Sequence, residues 1–410
     1  MRLSRLSVVA VALGLLISAS VANYASASDT NIPHAVEEPI LKASSQVTPI
    51  SPEAMSAFIA DAVAKVGSVD NVSALVVDDK SGDVLFSQQP ERAMIPASTL
   101  KLITAYGVLR ELGLETRFTT RVVQDGNTLT LVGGADPTLV SATPGNWRGK
   151  PPGVEQPPSL DQFADLIGQK LVGKPGPFVI NVDSSYFSSD KAEDTWPKSF
   201  VSEGFVSPVT GLTVDFGVDE AGRAYKSPAK FAGEYLAQAL TARGFASSYG
   251  QDIVAASTAV EIAALNSATT MDIVERMVTT SNNTMAEYLS HHVGKKNGDD
   301  SFSASAKLIL QQLVAGGIDT AHMELHDGSG LSASNKVTPK TLIEVIRSAH
   351  AENSQVWPLI SGLPIAGVSG TLEERFALQD SGRGFVRAKT GTLSGVVSLA
   401  GTVTTQSGNV

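Results

Sequence analysis

The chain has 410 residues, of which 42% are hydrophobic and 18% are charged, and its formal net charge is −10. A chain of this length and composition folds into roughly two or three globular domains. The acidic balance argues against nucleic acid as a partner. The absence of cysteine excludes disulfides, thiol nucleophiles and zinc–thiolate sites. The six histidines form no His-Glu-x-x-His motif. We therefore predict no metal and no cofactor.

The N-terminus has the three parts of a secretory signal peptide. Arg2 and Arg5 supply positive charge, Val8 to Ala22 is apolar, and Ala25-Ser26-Ala27 is a small-residue cleavage site. The apolar run is shorter than the roughly 20 residues that a membrane-spanning helix needs. We predict cleavage after residue 27, so that residues 1–27 are the signal peptide. The protein would then have no stable transmembrane anchor and would be exported to the periplasm, the cell wall or the medium.

Hydrophobic periodicity predicts the remaining elements in chain order. The predicted helices cover residues 52–66, 98–112, 161–171, 231–240, 271–278, 285–293, 302–313 and 342–349. The predicted strands cover residues 73–77, 84–86, 121–123, 128–132, 178–182, 385–392 and 396–404.

These elements predict an α/β fold of the α+β type, with a mostly antiparallel sheet flanked by helices. Residues 28–51 are polar and predict a flexible leader. Residues 52–118 and 265–410 would form the two parts of one domain. A β-rich insert over residues 119–264 would interrupt it, and this insert is large enough for its own core. The chain ends in a hairpin turn without a returning strand, which predicts an incomplete C-terminus.

Ser98 and Lys101 are three residues apart at a predicted helix start. Pro96 suits a helix entrance because proline lacks an N–H, and the spacing places both side chains on one helix face. A serine hydroxyl becomes nucleophilic when a base removes its proton. A neutral lysine amine held beside it can be that base. The pair is therefore predicted to be a catalytic nucleophile and its base.

A second motif, Ser281-Asn282-Asn283, lies in a predicted helix-to-helix loop. Ser281 is a candidate catalytic residue that could relay a proton to the leaving amine. Asn283 could hold both Lys101 and a substrate amide, because its side chain donates and accepts hydrogen bonds.

A third motif, Lys389-Thr390-Gly391, lies on an edge-type strand. Lys389 offers positive charge to a substrate carboxylate, and Thr390 adds a hydroxyl donor. Gly391 would let a substrate backbone approach the strand closely. A second lysine in the site would also favour the neutral form of Lys101.

Each motif alone is weak, since Ser227 and Lys230 also fit the first pattern. In this order and these contexts, the triple resembles the serine β-lactamase and penicillin-binding protein superfamily. Leu131 to Leu139, Asp327 to Ser332 and the long interval between the first two motifs resemble one family within it more closely. This is the D-alanyl-D-alanine carboxypeptidase/endopeptidase family of low-molecular-mass penicillin-binding proteins, the type-4 group. The resemblance covers about residues 52–404.

The resemblance implies a serine-type D-alanyl-D-alanine carboxypeptidase, with endopeptidase activity as a further expectation. It would act on peptidoglycan stem peptides through an acyl-enzyme on Ser98, and β-lactams would be covalent inhibitors. The resemblance also implies that the backbone N–H groups of Ser98 and Thr392 form the oxyanion hole. Two alternatives remain open. One is a β-lactamase or esterase on the same scaffold, and the other is a non-catalytic cell-wall-binding protein.

Overall fold

The computed structural model describes residues 51–65, 69–142, 156–188, 191–405, 408 and 410. The predicted signal peptide and all but the last residue of the predicted leader lie outside these residues. The α-helices are α1 (Pro52–Ala64), α2 (Leu100–Leu112), α3 (Leu160–Leu171), α4 (Ser199–Ser202), α5 (Pro228–Ala242), α6 (Thr270–Thr280), α7 (Asn283–Lys296), α8 (Phe302–Ala315), α9 (Pro339–His350) and α10 (Pro358–Ser361). The strands are β1 (Ala74–Val77), β2 (Val84–Gln88), β3 (Thr119–Asp125), β4 (Thr128–Val132), β5 (Phe178–Asp183), β6 (Ser247–Asp252), β7 (Val260–Asn266), β8 (Val386–Leu393) and β9 (Val396–Val403).

The chain forms two compact units. The first unit consists of the described residues up to Arg92, of Pro364–Ala388, and of the described residues from Ala400 onward. It contains the antiparallel hairpin of β1 and β2, with α1 against β2. The second unit consists of Ala93–Leu363 and Lys389–Leu399, and it contains every residue of the three sequence motifs.

A five-stranded sheet in the second unit has the strand order β6-β5-β4-β3-β7. β3 pairs antiparallel with β4 and β7, whereas β5 pairs parallel with β4 and β6. The sheet is therefore mixed, and its strands all lie within residues 119–266. The predicted α/β class is confirmed. The boundary of the insert at residue 264 stays a prediction.

Two helices cover this sheet and give the predicted insert an α/β core. α3 begins with a capping box, in which Ser159 and Gln162 each accept a backbone N–H of the other. Such a box satisfies donors that a helix start otherwise leaves unpaired. Apolar residues at helical spacing in α3 and α5 are buried against β3, β4 and β5. Sheet and helices therefore share one hydrophobic core.

Helix α2 forms the centre of the remaining part of the second unit. Its residues from Leu100 to Leu109 are all buried, as expected for a helix surrounded by other elements. α6, α7, α8 and α9 all contact it. Lys101 therefore lies on a rigid helix whose position is determined from several sides. Among the described residues, no helix is long and apolar enough to cross a lipid bilayer.

Candidate active site

Ser98 lies in a short 3-10 turn, Ala97–Thr99, directly before α2. The sequence predicts the α-helix from about Ala97, whereas the structure begins it at Leu100. Ala97 has a φ of +47°, which costs a non-glycine residue about 1 kcal/mol or more and persists only where neighbours enforce it. Gly330 is such a neighbour, because a Cβ added there would lie 1.9 Å from the Ala97 carbonyl oxygen. Ser98 itself is half-buried, so its hydroxyl can be reached.

The amine of Lys101 is fully buried and bound on three sides. Nζ donates to Ser98 Oγ at 3.1 Å, to Asn283 Oδ1 at 2.7 Å and to the Ser329 carbonyl oxygen at 2.7 Å. Burial lowers the pKa of Lys101 to about 8, against the opposing effect of the Asp327 and Glu287 carboxyl groups. Roughly one tenth of such a group is neutral at pH 7. Burial is the largest cause of this shift, and the predicted contribution of Lys389 stays a prediction.

The second motif forms the junction between α6 and α7. Ser281 ends α6 with a φ of +59°, in the left-handed region. Asn282 caps α7 by accepting the N–H of Met285 at 2.9 Å. Asn283 then begins α7, and its Nδ2 donates to the Phe205 carbonyl oxygen at 2.8 Å. This bond orients the amide so that its oxygen faces Lys101.

The third motif brings strand β8 to the same place. Lys389 is fully buried, and its Nζ donates to Ser281 Oγ and to the Thr390 carbonyl oxygen, both at 2.8 Å. A Cβ added to Gly391 would lie 2.7 Å from the Pro96 carbonyl oxygen and 3.0 Å from the Ser98 nitrogen. Glycine is therefore needed here so that the strand can lie against the backbone of the Ser98 turn.

The structure brings the predicted site residues together in two hydrogen-bonded groups. One group joins Ser98, Lys101 and Asn283, and the other joins Ser281 and Lys389. Gly391 lies against the Ser98 turn, which brings the motif on β8 next to the first group. Thr390 is buried and Thr392 is exposed on the same strand. Their predicted contacts with substrate stay predictions.

From the sequence, the segment Asp327–Ser332 contributed to the family resemblance but was given no role in the site, and Glu287 was missed altogether. In the structure, the Asp327 carboxylate accepts the N–H of Gly330 at 2.8 Å and that of Ser332 at 2.7 Å. Glu287 is buried on α7, one turn after Asn283. The only sequence signal for it was this four-residue spacing, which places both side chains on one helix face.

No group of three or more His, Asp or Glu side chains among the described residues is arranged to hold a metal ion. The site instead offers a hydroxyl next to a buried amine and a second hydroxyl next to a second buried amine. This set of groups is suited to acyl transfer through a serine nucleophile.

Comparison with known proteins identifies the family. The model of the D-Ala-D-Ala carboxypeptidase 3 (S13) family matches residues 55–222 and 218–410. The chain belongs to this family. The recognition from the three motifs is thereby confirmed, and so is the predicted activity of a serine-type D-alanyl-D-alanine carboxypeptidase.

Relatives of this S13 family member agree with the match. A carboxypeptidase of Mycobacterium tuberculosis is 33% identical over 350 residues, which are 82% of this chain and 73% of that protein. Carboxypeptidase DacB of Mycolicibacterium smegmatis is 33% identical over 351 residues, which are 83% of this chain and 74% of that protein. Penicillin-binding protein 4 of Haemophilus influenzae has a similar fold, with a TM-score of 0.66 at 21% identity, over 82% of this chain and 88% of that chain.

Proposed function

We propose that Ser98 attacks the carbonyl of the penultimate D-alanine of a peptidoglycan stem peptide and becomes acylated, while the terminal D-alanine leaves. The single observation that carries this proposal is the 3.1 Å contact between Lys101 Nζ and Ser98 Oγ. In its neutral form the amine has two N–H groups, which can remain bound to Asn283 and Ser329. Its lone pair then faces Ser98 and can accept the hydroxyl proton.

Ser281 is proposed to protonate the leaving amine. Attack by Ser98 forms the C–O bond, and collapse of the tetrahedral intermediate breaks the C–N bond and requires a proton on nitrogen. Lys389 donates to Ser281 Oγ at 2.8 Å and thereby occupies one lone pair of that oxygen. The O–H of Ser281 must point elsewhere and can serve the leaving group. Lys101, which holds the proton from Ser98, would pass it to Ser281 Oγ, so that in total one proton moves from Ser98 to the leaving amine.

Recognition of the terminal carboxylate is proposed for strand β8. The Lys389 ammonium provides a positive charge beside Ser281, and the Thr390 hydroxyl can add a donor. The N–H groups of Ser98 and Thr392 would stabilise the oxyanion. The close approach of Gly391 to the Ser98 nitrogen supports this, because it brings the strand next to one of the two proposed donors.

A long-lived β-lactam adduct is the expected consequence of this arrangement. A β-lactam carbonyl would acylate Ser98 as a substrate mimic, and clearance then depends on a base that activates water. Glu287 does not fit that role, because it is buried and both of its oxygen atoms accept backbone N–H groups. This favours a carboxypeptidase over the alternative of a β-lactamase.

The substrate and the signal-like N-terminus together support export. Peptidoglycan lies outside the cytoplasmic membrane, and residues 1–27 match a secretory signal peptide. N-terminal sequencing of the protein secreted by a bacterial host is expected to begin at Ser28. A cytoplasmic product that retains Met1 would contradict this.

The function is tested by intact mass after incubation with benzylpenicillin and by release of D-alanine from a pentapeptide. The wild type is expected to gain one penicillin and to release D-alanine. Ser98→Ala should form no adduct and lose at least about 10³-fold in activity. Ser227→Ala is the matched control, because Ser227 also precedes a lysine by three residues and should react normally. An adduct on Ser98→Ala, or peptidoglycan binding without any adduct in the wild type, would contradict the proposal.

A further inference from the structure

The carboxyl group of Glu287 is fully buried inside the second unit, although nothing in the three motifs involves it. It lies on α7, four residues after Asn283, and it faces the loop Asp327–Ser332. Its Oε2 accepts the N–H of Gly328 at 3.0 Å, and its Oε1 accepts the N–H of Ser329 at 2.8 Å. A buried carboxyl is costly unless such partners are present, so its position suggests a function for this contact.

Two successive peptide groups of this loop are held from both sides. In a trans peptide the C=O and the following N–H point in opposite directions. The N–H of Ser329 is bound by Glu287, and the carbonyl of Gly328 on the other side accepts from Thr104 Oγ1 at 2.7 Å. The next peptide plane is held by Asp327, which accepts the N–H of Gly330 at 2.8 Å.

The carbonyl of Ser329 belongs to this second plane, and it accepts from Lys101 Nζ at 2.7 Å. Helix α7 therefore affects the position of the lysine amine in two ways. Asn283 contacts it directly through Oδ1, and Glu287 acts one step away through the loop backbone. Because Asn283 and Glu287 are on one helix, that helix positions two of the three acceptors of the amine: Asn283 Oδ1 directly, and the Ser329 carbonyl through Glu287.

The carboxyl groups also set the charge around the amine. Asp327 on the loop and Glu287 on α7 both raise the pKa of Lys101, against the larger lowering by burial. On the side of β8, the charged group of the site is Lys389, bound to Ser281. Burial raises the pKa of Glu287 itself, and the neighbouring Asp327 carboxylate acts in the same direction.

We propose that Glu287 is a positioning residue for Lys101. It holds the backbone of Gly328 and Ser329 so that the Ser329 carbonyl keeps the amine directed at Ser98 Oγ. This proposal rests on the proposed function of Ser98 and Lys101, and it adds to it a second contribution of helix α7.

The test is the rate at which a labelled penicillin acylates Glu287→Gln. This rate is normalised to the fraction of protein molecules that can be acylated, which gives a per-site rate constant. Glutamine keeps the shape but offers an NH₂ group to one of the two N–H donors, so one hydrogen bond is lost. We expect the per-site rate constant to fall about tenfold, because small displacements of a catalytic group are costly. The pH at which this rate is half-maximal should also fall, because the Glu287 carboxyl group raises the pKa of Lys101. A purely structural role would not produce this fall.

Asp300→Asn is the matched control. Asp300 is also buried, and it also accepts a backbone N–H, that of Ser188 at 2.8 Å, but it has no bond to the loop Asp327–Ser332. Its per-site rate is expected to stay within about twofold of the wild type, as for changes outside a site. Thr104→Val is a second variant in case Glu287→Gln does not fold. It removes the hydroxyl that holds the Gly328 carbonyl, and it should also slow per-site acylation.

The outcomes separate this proposal from the proposed function. If the wild type forms no adduct, or if Ser98→Ala forms one, the function fails. If the wild type reacts on Ser98 and Glu287→Gln loses no more per-site rate than Asp300→Asn, the positioning role alone is overturned. If Glu287→Gln does not fold, a wild-type per-site rate in Thr104→Val overturns it equally.

Discussion

The state of one lysine amine governs the chemistry at the scale of single residues. Lys101 is fully buried, and burial of a cation is unfavourable unless its hydrogen bonds are satisfied. The three oxygen acceptors around Nζ satisfy them, while burial still lowers its pKa to about 8. The amine can therefore remain bound in place and also become neutral within the physiological range.

A pH profile of acylation tests this property. Below pH 8 the amine becomes protonated and cannot accept the proton of Ser98. The second-order rate constant with benzylpenicillin should therefore fall about tenfold per pH unit on the acidic side. It should level off above about pH 8, the pKa of Lys101. Lys230→Ala, at an exposed lysine, is the control and should keep the wild-type profile. A half-maximal rate near pH 10, the value of an ordinary lysine, would show that burial does not control the reaction.

At the scale of elements, the contact between β8 and the turn before α2 determines whether the site exists. A strand lies this close to another backbone only where a side chain is missing. At Gly391 a Cβ would meet the backbone of Pro96 and Ser98, and also Ser398 Oγ at 2.1 Å. Close packing inside the protein is therefore sufficient to explain why residue 391 is glycine. Its predicted contact with a substrate stays a prediction.

Gly391→Ala is expected to push the strand away from Ser98. Overpacking of this kind costs about 1–3 kcal/mol, and a displaced site should lose acylation at least about tenfold. Both are measured, by urea unfolding and by the rate of penicillin labelling. The double variant Gly391→Ala, Ser398→Ala removes the side-chain clash only. It should recover little, because the backbone atoms of Pro96 and Ser98 remain; full recovery would show that the strand is free to adjust.

At the scale of the whole molecule, the predicted insert and the helices around α2 belong to one compact unit. Trp196, which lies within the predicted insert, donates its indole N–H to Asp327 Oδ2 at 2.7 Å. Its ring meets Phe302 of α8 edge to face. Asp327 also holds the loop that contacts Lys101. The predicted insert therefore supports the site through the hydrogen bond from Trp196 to Asp327.

Trp196→Phe tests this contribution because it removes the N–H and keeps most of the apolar ring. Loss of a hydrogen bond to a buried carboxylate should lower the free energy of unfolding by about 1–3 kcal/mol. Trp357→Phe, at an exposed tryptophan of the same unit, should change it by less than about 0.5 kcal/mol. Equal effects of the two substitutions in urea unfolding would argue that the Trp196 bond contributes nothing.

The elements that were predicted correctly from the sequence are those with strong local patterns. The capped helix α3 and the hairpin of β3 and β4 match the predicted segments within a few residues. β6 was missed because Ser247–Asp252 is polar and does not alternate, and its parallel pairing with β5 joins segments far apart in sequence. Such pairing has no local signature.

For the site, the sequence by itself determined which residues have the right chemistry, since a serine, its lysine and two later motifs can be recognised from type and spacing. Only the tertiary structure decided the pKa of Lys101, the need for glycine at residue 391, and the involvement of Glu287. In a sequence, Glu287 looks like an ordinary polar residue on a helix. Burial and contacts between distant segments are properties of the packed chain, and they depend on every element that surrounds the site.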